Sequence, residues 1–162
     1  MTCKTLCTSM ASVLVLLSVC SASWAQTPAG AKNTTDVVAL LEKSGYHYSK
    51  VSDGVWEITF KGNNVGEFAV RIALGGEILI VMAKIDDRKS LQLQPAFITK
   101  LLELNDKFDT VKVALSGEML YVRSDTHVRL LDVQELKYLL EQISGAVDEM
   151  YPLIKQYLST AK

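Results

Sequence analysis

Apolar residues recur along this chain at two different spacings. In residues 36–44 the spacing is helical, after a threonine at position 34 or 35 that can cap a helix and before Gly45, which can end it. In residues 55–74 the period is two, and the apolar positions are Trp56, Ile58, Phe60, Phe68, Val70, Ile72 and Leu74. Turn residues separate the apolar runs at 53–54, 62–64 and 75–76. The pattern predicts a short helix followed by an antiparallel meander.

The chain then changes from strand to helix and back again. Residues 78–83 are apolar at every position, which is typical of a strand covered on both faces of its sheet. Pro95 suits the first turn of a second helix, whose apolar stripe runs to Phe108. Two further apolar runs, 111–115 and 119–123, flank a turn at 116–118 and predict a second hairpin.

The last helix has the clearest local signal. Asp132 with Glu135 three residues later forms a capping box, and an apolar stripe follows as far as Leu158. Pro152 lies inside this stripe, so we expect a kink or a break near Met150 and Tyr151. The predicted order is helix, four strands, helix, two strands, helix. This order indicates an α+β fold, an antiparallel β-sheet with three helices.

The first 25 residues have the pattern of a secretory signal peptide. Lys4 precedes an apolar stretch at 10–19, and Ser23-Trp24-Ala25 offers a cleavage site before Gln26. A stretch of about ten apolar residues is too short for a membrane span, so no stable span is expected after cleavage. The sequence therefore predicts a periplasmic or secreted protein. A lipoprotein attached through Cys20 is disfavoured, because Val19 stands where a small residue is required.

Domain organisation and charge narrow the choice of function. After the signal peptide, residues 26–33 are expected to form a flexible leader and residues 34–160 a single domain. The three cysteines, Cys3, Cys7 and Cys20, all precede the predicted cleavage site, so disulfides and thiol chemistry are not expected in the mature chain. The formal net charge is -1, which excludes a general electrostatic attraction to nucleic acid.

Several short segments resemble a known family. They are the Leu-Leu-Glu-x-x-Gly run at 40–45, the Leu-Leu-Glu-Leu-Asn run at 101–105 and the Asp-Glu-Met-Tyr-Pro-Leu run at 148–153. With the order of elements, these segments resemble the YbjN-like domain family of bacteria, described as sensory transduction regulators. The resemblance implies a type III secretion chaperone-like fold, with dimerisation and partner binding, and it supplies no catalytic residues. Cytoplasmic members lack the export signal predicted here, so a role in feeding a secretion machine does not transfer.

The residues themselves offer little support for catalysis. His47 and His127 are the only histidines, they are far apart in sequence, and no metal-ligand spacing accompanies them. Asp125 and His127 could share a strand face, but no nucleophile elbow is present. We therefore expect a protein that is not an enzyme and that uses no cofactor or metal.

Charged residues near the second hairpin are candidates for a binding contact. Arg123, Asp125, His127 and Arg129 are two apart, so an extended strand would place them in one row. The row, together with Arg71, could contact an anion or an acidic partner. The alternative interpretation is a charged edge strand that prevents pairing between sheets.

Apolar residues of the fourth strand and last helix are candidates for an interface. They are Leu79, Val81, Tyr151, Ile154 and Tyr157. The leading hypothesis is an exported protein-binding, chaperone-like or regulatory module with an unidentified protein partner or a second copy of itself. The alternative is a periplasmic domain that binds a small ligand or an anion.

Overall fold

The computed structural model describes residues 34–158, which form three α-helices and six β-strands. The elements are α1 (Thr34–Ser44), β1 (Ser49–Ser52), β2 (Val55–Lys61), β3 (Glu67–Gly75), β4 (Ile78–Asp87), α2 (Pro95–Lys107), β5 (Lys112–Ser116), β6 (Met119–His127) and α3 (Val133–Lys155). Short 3-10 turns at Arg88–Ser90 and Val128–Leu130 follow β4 and β6. The predicted α+β fold and its element order are confirmed. The predicted signal peptide, Cys20 and the leader at 26–33 lie outside the described residues.

The six strands form one antiparallel sheet in the order β1-β2-β3-β4-β6-β5. The first four strands follow one another as the predicted meander, and the second hairpin joins it through β6, which pairs with β4. β5 therefore forms one edge of the sheet, β1 forms the other, and β6 lies inside the sheet. The interpretation of residues 123–127 as a charged edge strand is wrong, because a hairpin can dock through either of its strands and the sequence does not indicate which.

The helices cover one face of the sheet. α3 packs across β3, β4 and β6, α1 packs against α3, and α2 packs against β5. Alternate residues of the strands point into this layer, and the largest buried side chains there include Trp56, Phe97, Ile72 and Leu79. Each fully buried side chain of this size contributes roughly 1.5–3 kcal/mol from the removal of apolar surface from water. The sheet is thus fixed against α3, which is the longest element of the described chain.

The helix ends follow the signals in the sequence. Gly45 after α1 has a φ of 80°, and Pro95 is the first residue of α2. The side chain of Asp132 accepts a hydrogen bond from the Glu135 N–H at 2.8 Å, as a capping residue should. Of the kink or break expected near Met150 and Tyr151, the break is absent: α3 continues through Pro152 to Lys155. None of the helices in residues 34–158 combines the length and hydropathy needed to span a membrane.

Candidate functional site

The second face of the sheet carries no helix in the described chain. Its residues alternate with the core residues and include Ile80 and Met82 of β4, both half-buried. The expectation that β4 is covered on both faces is therefore corrected: elements of residues 34–158 cover only one face. We call this second face of the whole sheet the open face. The continuous apolar run of β4 has its partly exposed side there. An apolar, partly exposed surface of this kind is a candidate contact surface for another molecule.

Strands β3 and β4 separate from each other towards the start of β3 and the end of β4. The β3–β4 pairing ends at Val70 opposite Ala83, although both strands continue beyond it. β3 stays with β2 as far as Glu67 opposite Lys61. β4 stays with β6 as far as Asp87, after a register irregularity that follows Lys84. The two halves of the sheet therefore separate, and we call this feature the sheet split.

Backbone groups of β3 point into the sheet split. The Leu74 N–H donates to the Gly54 carbonyl, on the β2 side of the strand, at 2.8 Å. Backbone groups of an antiparallel strand alternate in direction, so those of Ala69 and Glu67 point to the β4 side. Their positions lie beyond the end of the β3–β4 pairing. The β3 backbone at Glu67, beyond the last β3–β4 pair and its flanking residue Ala69, is the part that a bound extended segment can pair with.

A cavity of about 650 Å³ opens at the sheet split. This volume lies within the range of roughly 300–1,000 Å³ that is usual for ligand sites. The cavity reaches from the open face to the helix layer, because residues of both line it. The lining consists of Val65, Glu67, Phe68, Ala69, Arg71, Met82, Lys84, Ile85, Ser116, Met119, Tyr121, Val147 and Tyr151. Most of these side chains are apolar or aromatic, and two are cationic.

A contact between the β2–β3 turn and α3 fixes one wall of the cavity. One carboxylate oxygen of Asp148 accepts from the backbone N–H groups of Asn64, at 2.6 Å, and Val65, at 3.2 Å. The Asn64 side-chain amide donates in return to the Asp148 carbonyl at 3.1 Å. These backbone hydrogen bonds, that from Asn64 above all, lower the pKa of the Asp148 carboxyl. We call this set of contacts the Asn64–Asp148 latch.

Pro152 and Gly62 explain how the latch fits together. A residue at position 152 with an N–H would donate it to the carbonyl four residues earlier, which is that of Asp148. Pro152 has no N–H, so this carbonyl is left for the Asn64 amide. At Gly62 an added Cβ would lie 2.8 Å from both the Asp148 Cγ and a Val65 methyl group. The turn can approach α3 this closely only because residue 62 has no side chain.

The two cations of the cavity are each held by an acid outside its lining. The Arg71 Nε donates to Glu57 at 2.9 Å, and the Lys84 ammonium pairs with Asp87, also at 2.9 Å. The Arg71 side chain is 59% exposed and that of Lys84 is 52% exposed. Exposed ion pairs of this kind contribute little to stability, so both cations can exchange partners.

The structure divides the predicted charged row. Arg123, Asp125 and His127 lie on β6 and face the open side, whereas Arg129 belongs to the turn after β6 and is not part of the row. Arg123 donates to both carboxylate oxygens of Asp125, at 3.0 and 2.5 Å. Contacts with Asp125 and then Tyr121 raise the pKa of the Arg123 guanidinium. Among the predicted contact residues, Arg71 lines the cavity, and Arg123, His127 and Arg129 do not.

The predicted interface residues also separate into two groups. Leu79, Val81 and Ile154 have no exposed surface and belong to the core, so their assignment to an interface is corrected. A continuous apolar run does not reveal which alternate residues face the helices, and in β4 these are the odd-numbered ones. Tyr157 is half-buried and stacks on Phe97, with ring centroids 4.5 Å apart. Tyr151 lines the cavity.

Sequence reasoning did not single out Lys84, Tyr121, Asn64 or Asp148 as site residues. The signal that could have indicated the latch is Pro152, because a proline inside a helix leaves a carbonyl that needs another donor. Within residues 34–158, no three His, Cys, Asp or Glu side chains come together as a metal site would require.

Comparisons with known proteins bear on the fold. No protein-family model matches the chain, and no curated protein matches it in sequence. Among solved structures, it is similar to YbjN from E. coli, with a TM-score of 0.57 and 15% identity over 82% of this chain and 99% of the other.

Two solved complexes contain a similar chain. One is the heterodimeric complex ExoU–SpcU from the type III secretion system of Pseudomonas aeruginosa, with a TM-score of 0.54 and 16% identity over 73% of this chain and 97% of the other. The second is the ExsC–ExsE complex, with a TM-score of 0.57 and 14% identity over 79% and 98%. At these identities the similarity establishes the fold, and the YbjN-like, type III secretion chaperone-like fold is confirmed.

Proposed function

We propose that this chain is a non-enzymatic protein-binding module that holds an extended segment of a partner protein at the sheet split. The observation that carries the proposal is the cavity of about 650 Å³, which joins strand backbone at the split to an apolar and aromatic lining. Two solved structures of this fold are complexes of two proteins, ExoU–SpcU and ExsC–ExsE, and both agree with a partner-binding role.

The chemistry of the lining suits a protein segment. Met82 and Met119 have flexible, polarisable side chains that adapt to irregular surfaces. Tyr121 and Tyr151 combine an apolar ring with a hydroxyl, and tyrosine is enriched in protein interfaces. Backbone at the split can pair with an added strand while these side chains receive alternate residues of it. The cavity would therefore serve as the anchoring point of a larger contact on the open face.

We place the module in the periplasm or outside the cell, because its first 25 residues have the pattern of a signal peptide. A regulatory role, in which partner binding transmits a signal, is part of the proposal. The partner could also be a second copy of the chain, and the experiment below distinguishes this arrangement.

The test fills the cavity without changing its charge. Ala69 lines the cavity, whereas Ala73 lies on the same strand and face but outside the lining, so Ala69→Trp and Ala73→Trp are matched variants. Each full-length chain is expressed in its native host with a C-terminal tag, purified from the envelope fraction and examined by mass spectrometry. We expect the wild type and Ala73→Trp to retain one protein in stoichiometric amount and Ala69→Trp to lose it.

Retention of the same partner by Ala69→Trp would contradict the cavity as the binding site. Loss of self-association alone, seen as a change from dimer to monomer in sedimentation, would identify the partner as a second copy. Absence of any stoichiometric protein with all three chains would contradict protein binding.

A small anionic ligand is the second candidate function. The observation in its favour is that Arg71 and Lys84 both line the cavity. Native mass spectrometry of the chain purified from its host tests this candidate. It predicts a bound mass of a few hundred daltons that is present in the wild type and in Ala73→Trp and absent from Ala69→Trp.

A further inference from the structure

We infer that the sheet-split cavity selects an acidic segment of its partner, one in which a carboxylate lies next to an apolar side chain, with Arg71 and Lys84 receiving the carboxylate. The inference rests on the proposed protein-binding function and specifies the chemistry of the partner. Nothing in the sequence singled out this pair, because Lys84 is separated from Arg71 by a turn and belongs to another strand.

The charged side chains of the lining itself favour an acidic occupant. Arg71 and Lys84 are the two cations of the lining, and Glu67 is its one acid. Glu67 lies directly opposite Lys61 on β2, where opposite charges on neighbouring strands attract each other. Lys61 therefore offsets Glu67 from outside the lining, as Glu57 and Asp87 offset the two cations, and within the lining itself the cations exceed the acids by one.

Both cations have donors to offer. Glu57 engages Arg71 through the Nε, whereas a guanidinium has five N–H donors arranged to bind a carboxylate through two of them. The ammonium of Lys84 has three donors and pairs with Asp87. Glu57 and Asp87 are both outside the lining, so the donors that they do not use are left for a partner carboxylate inside the cavity.

Arg123, on the same face, differs from Arg71 because two of its nitrogens already donate to a carboxylate of the chain. Its Nε and one terminal nitrogen both donate to Asp125, and its side chain is only 30% exposed. It is also outside the cavity lining. The open face therefore contains one arginine that is bound in fork geometry within the chain and one, Arg71, that is bound through a single nitrogen.

The register of the sheet indicates why an apolar side chain is favoured next to the partner's carboxylate. Met82 is the direct neighbour of Arg71 across the β3–β4 pair. Directly opposed residues in an antiparallel sheet lie about 4.5–5.5 Å apart at their Cα atoms, so Arg71 and Met82 leave neighbouring positions of the open face, while the guanidinium itself is turned towards Glu57 on β2. A bound strand that places a carboxylate at Arg71 would therefore place a nearby side chain against Met82 and Tyr121, where an apolar one is favoured.

The experiment uses peptides as the probe, because the partner is unidentified. A phage-displayed library of random octapeptides is selected against the immobilised full chain without its signal peptide, and in parallel against the Arg71→Gln/Lys84→Gln double variant. We expect the wild type to enrich peptides with Asp or Glu next to an apolar residue, and the double variant to lose this acidic enrichment. Lys112→Gln serves as the control, because Lys112 is an exposed lysine of the neighbouring β5 outside the cavity lining.

The enriched peptide is then located by NMR with methyl-labelled methionine. Met82 and Met119 line the cavity, whereas Met150 is fully buried in the core and serves as the internal reference. We expect the peptide to shift the Met82 and Met119 methyl signals and not that of Met150. The double variant should weaken binding roughly threefold to tenfold, as the loss of two partly exposed ion pairs would do, and Lys112→Gln should leave it unchanged.

The possible failures have different meanings. Enrichment of neutral or basic peptides that still shift Met82 would overturn the acidic preference and leave the proposed protein-binding function standing. Equal binding of the acidic peptide by the wild type and the double variant would overturn the roles of Arg71 and Lys84. Enrichment of no peptide by any of the chains would overturn both the inference and the proposed function.

Discussion

Pro152 interrupts the backbone hydrogen-bond ladder of α3, and Asn64 fills the gap from another part of the fold. The Asn64 amide donates at 3.1 Å to the Asp148 carbonyl, which a proline at position 152 cannot serve. The structure therefore predicts energetic coupling between Asn64 and Pro152. In a Pro152→Ala variant, the new N–H at position 152 can serve the Asp148 carbonyl, and the Asn64 amide becomes dispensable for it.

The size of this coupling follows from one hydrogen bond. With Pro152 present, Asn64→Ala leaves the Asp148 carbonyl without its donor, at a cost of about 0.5–1.5 kcal/mol in the free energy of unfolding. With Ala at position 152 this part of the cost disappears. Any other effect of Asn64→Ala is the same in both backgrounds and cancels in a double-mutant cycle. We therefore expect a coupling free energy of about 1 kcal/mol.

Urea unfolding of the four chains measures the coupling. With an m-value of about 2 kcal/mol per molar, 1 kcal/mol corresponds to a shift of about 0.5 M in the midpoint. The control is Asn63→Ala, since Asn63 is the exposed neighbour in the same turn, and its coupling to Pro152→Ala should be close to zero. A coupling below about 0.3 kcal/mol for Asn64 would refute the interpretation, because independent sites are additive within that margin.

Three further predictions concern the contacts around the sheet. Asn105 donates to the Val113 carbonyl at 3.2 Å and accepts from its N–H at 2.6 Å, so Asn105→Ala should lower the free energy of unfolding by about 1–3 kcal/mol in urea titrations, whereas Asp106→Ala should change it by less than about 0.5 kcal/mol. Gly62→Ala should destabilise the chain by roughly 1–3 kcal/mol in thermal unfolding, because its Cβ would collide with Asp148; an unchanged melting temperature would contradict this close approach. The lowered pKa of Asp148 means that its ionised form stabilises the fold above its ordinary pKa of 3.8, and that this contribution is lost as pH falls through the lower folded value. The stability difference between the wild type and Asp148→Asn should therefore shrink as the pH is lowered below about 3.8, and a difference constant with pH would refute the assignment.

Local signals were sufficient to predict the elements of the fold. The capping aspartate of α3, the proline that begins α2 and the glycine after α1 act within a few residues, and each lies where its pattern predicted. The alternation in β2 and β3 likewise indicates their buried sides correctly, because Trp56 and Ile72 face the helices. These features depend on neighbours along the chain, so a single sequence contains the information needed.

The site depends on contacts that have no local signature. The Asn64 amide and Asp148 meet across 84 residues of sequence. The sheet split begins after Ala83, where the fully apolar part of β4 is followed by charged residues without a glycine or a proline to mark the change. Which side of β4 is buried was equally undetermined, because every residue from 78 to 83 is apolar. The cavity could therefore not be predicted from the sequence.

Three residues that do not suit their own secondary-structure element nevertheless lie close together beside the cavity wall. Pro152 lies inside a helix, Gly62 follows β2 without a positive φ, and the Asn64 side-chain amide donates to a helix carbonyl. Each choice is unfavourable or unnecessary for its own element, and together they place the β2–β3 turn against α3 beside Val65 and Tyr151. Departures from local consistency are expected where a fold serves a purpose besides stability. The latch therefore fixes the wall of the proposed site at the sheet split to α3, in addition to its contribution to stability.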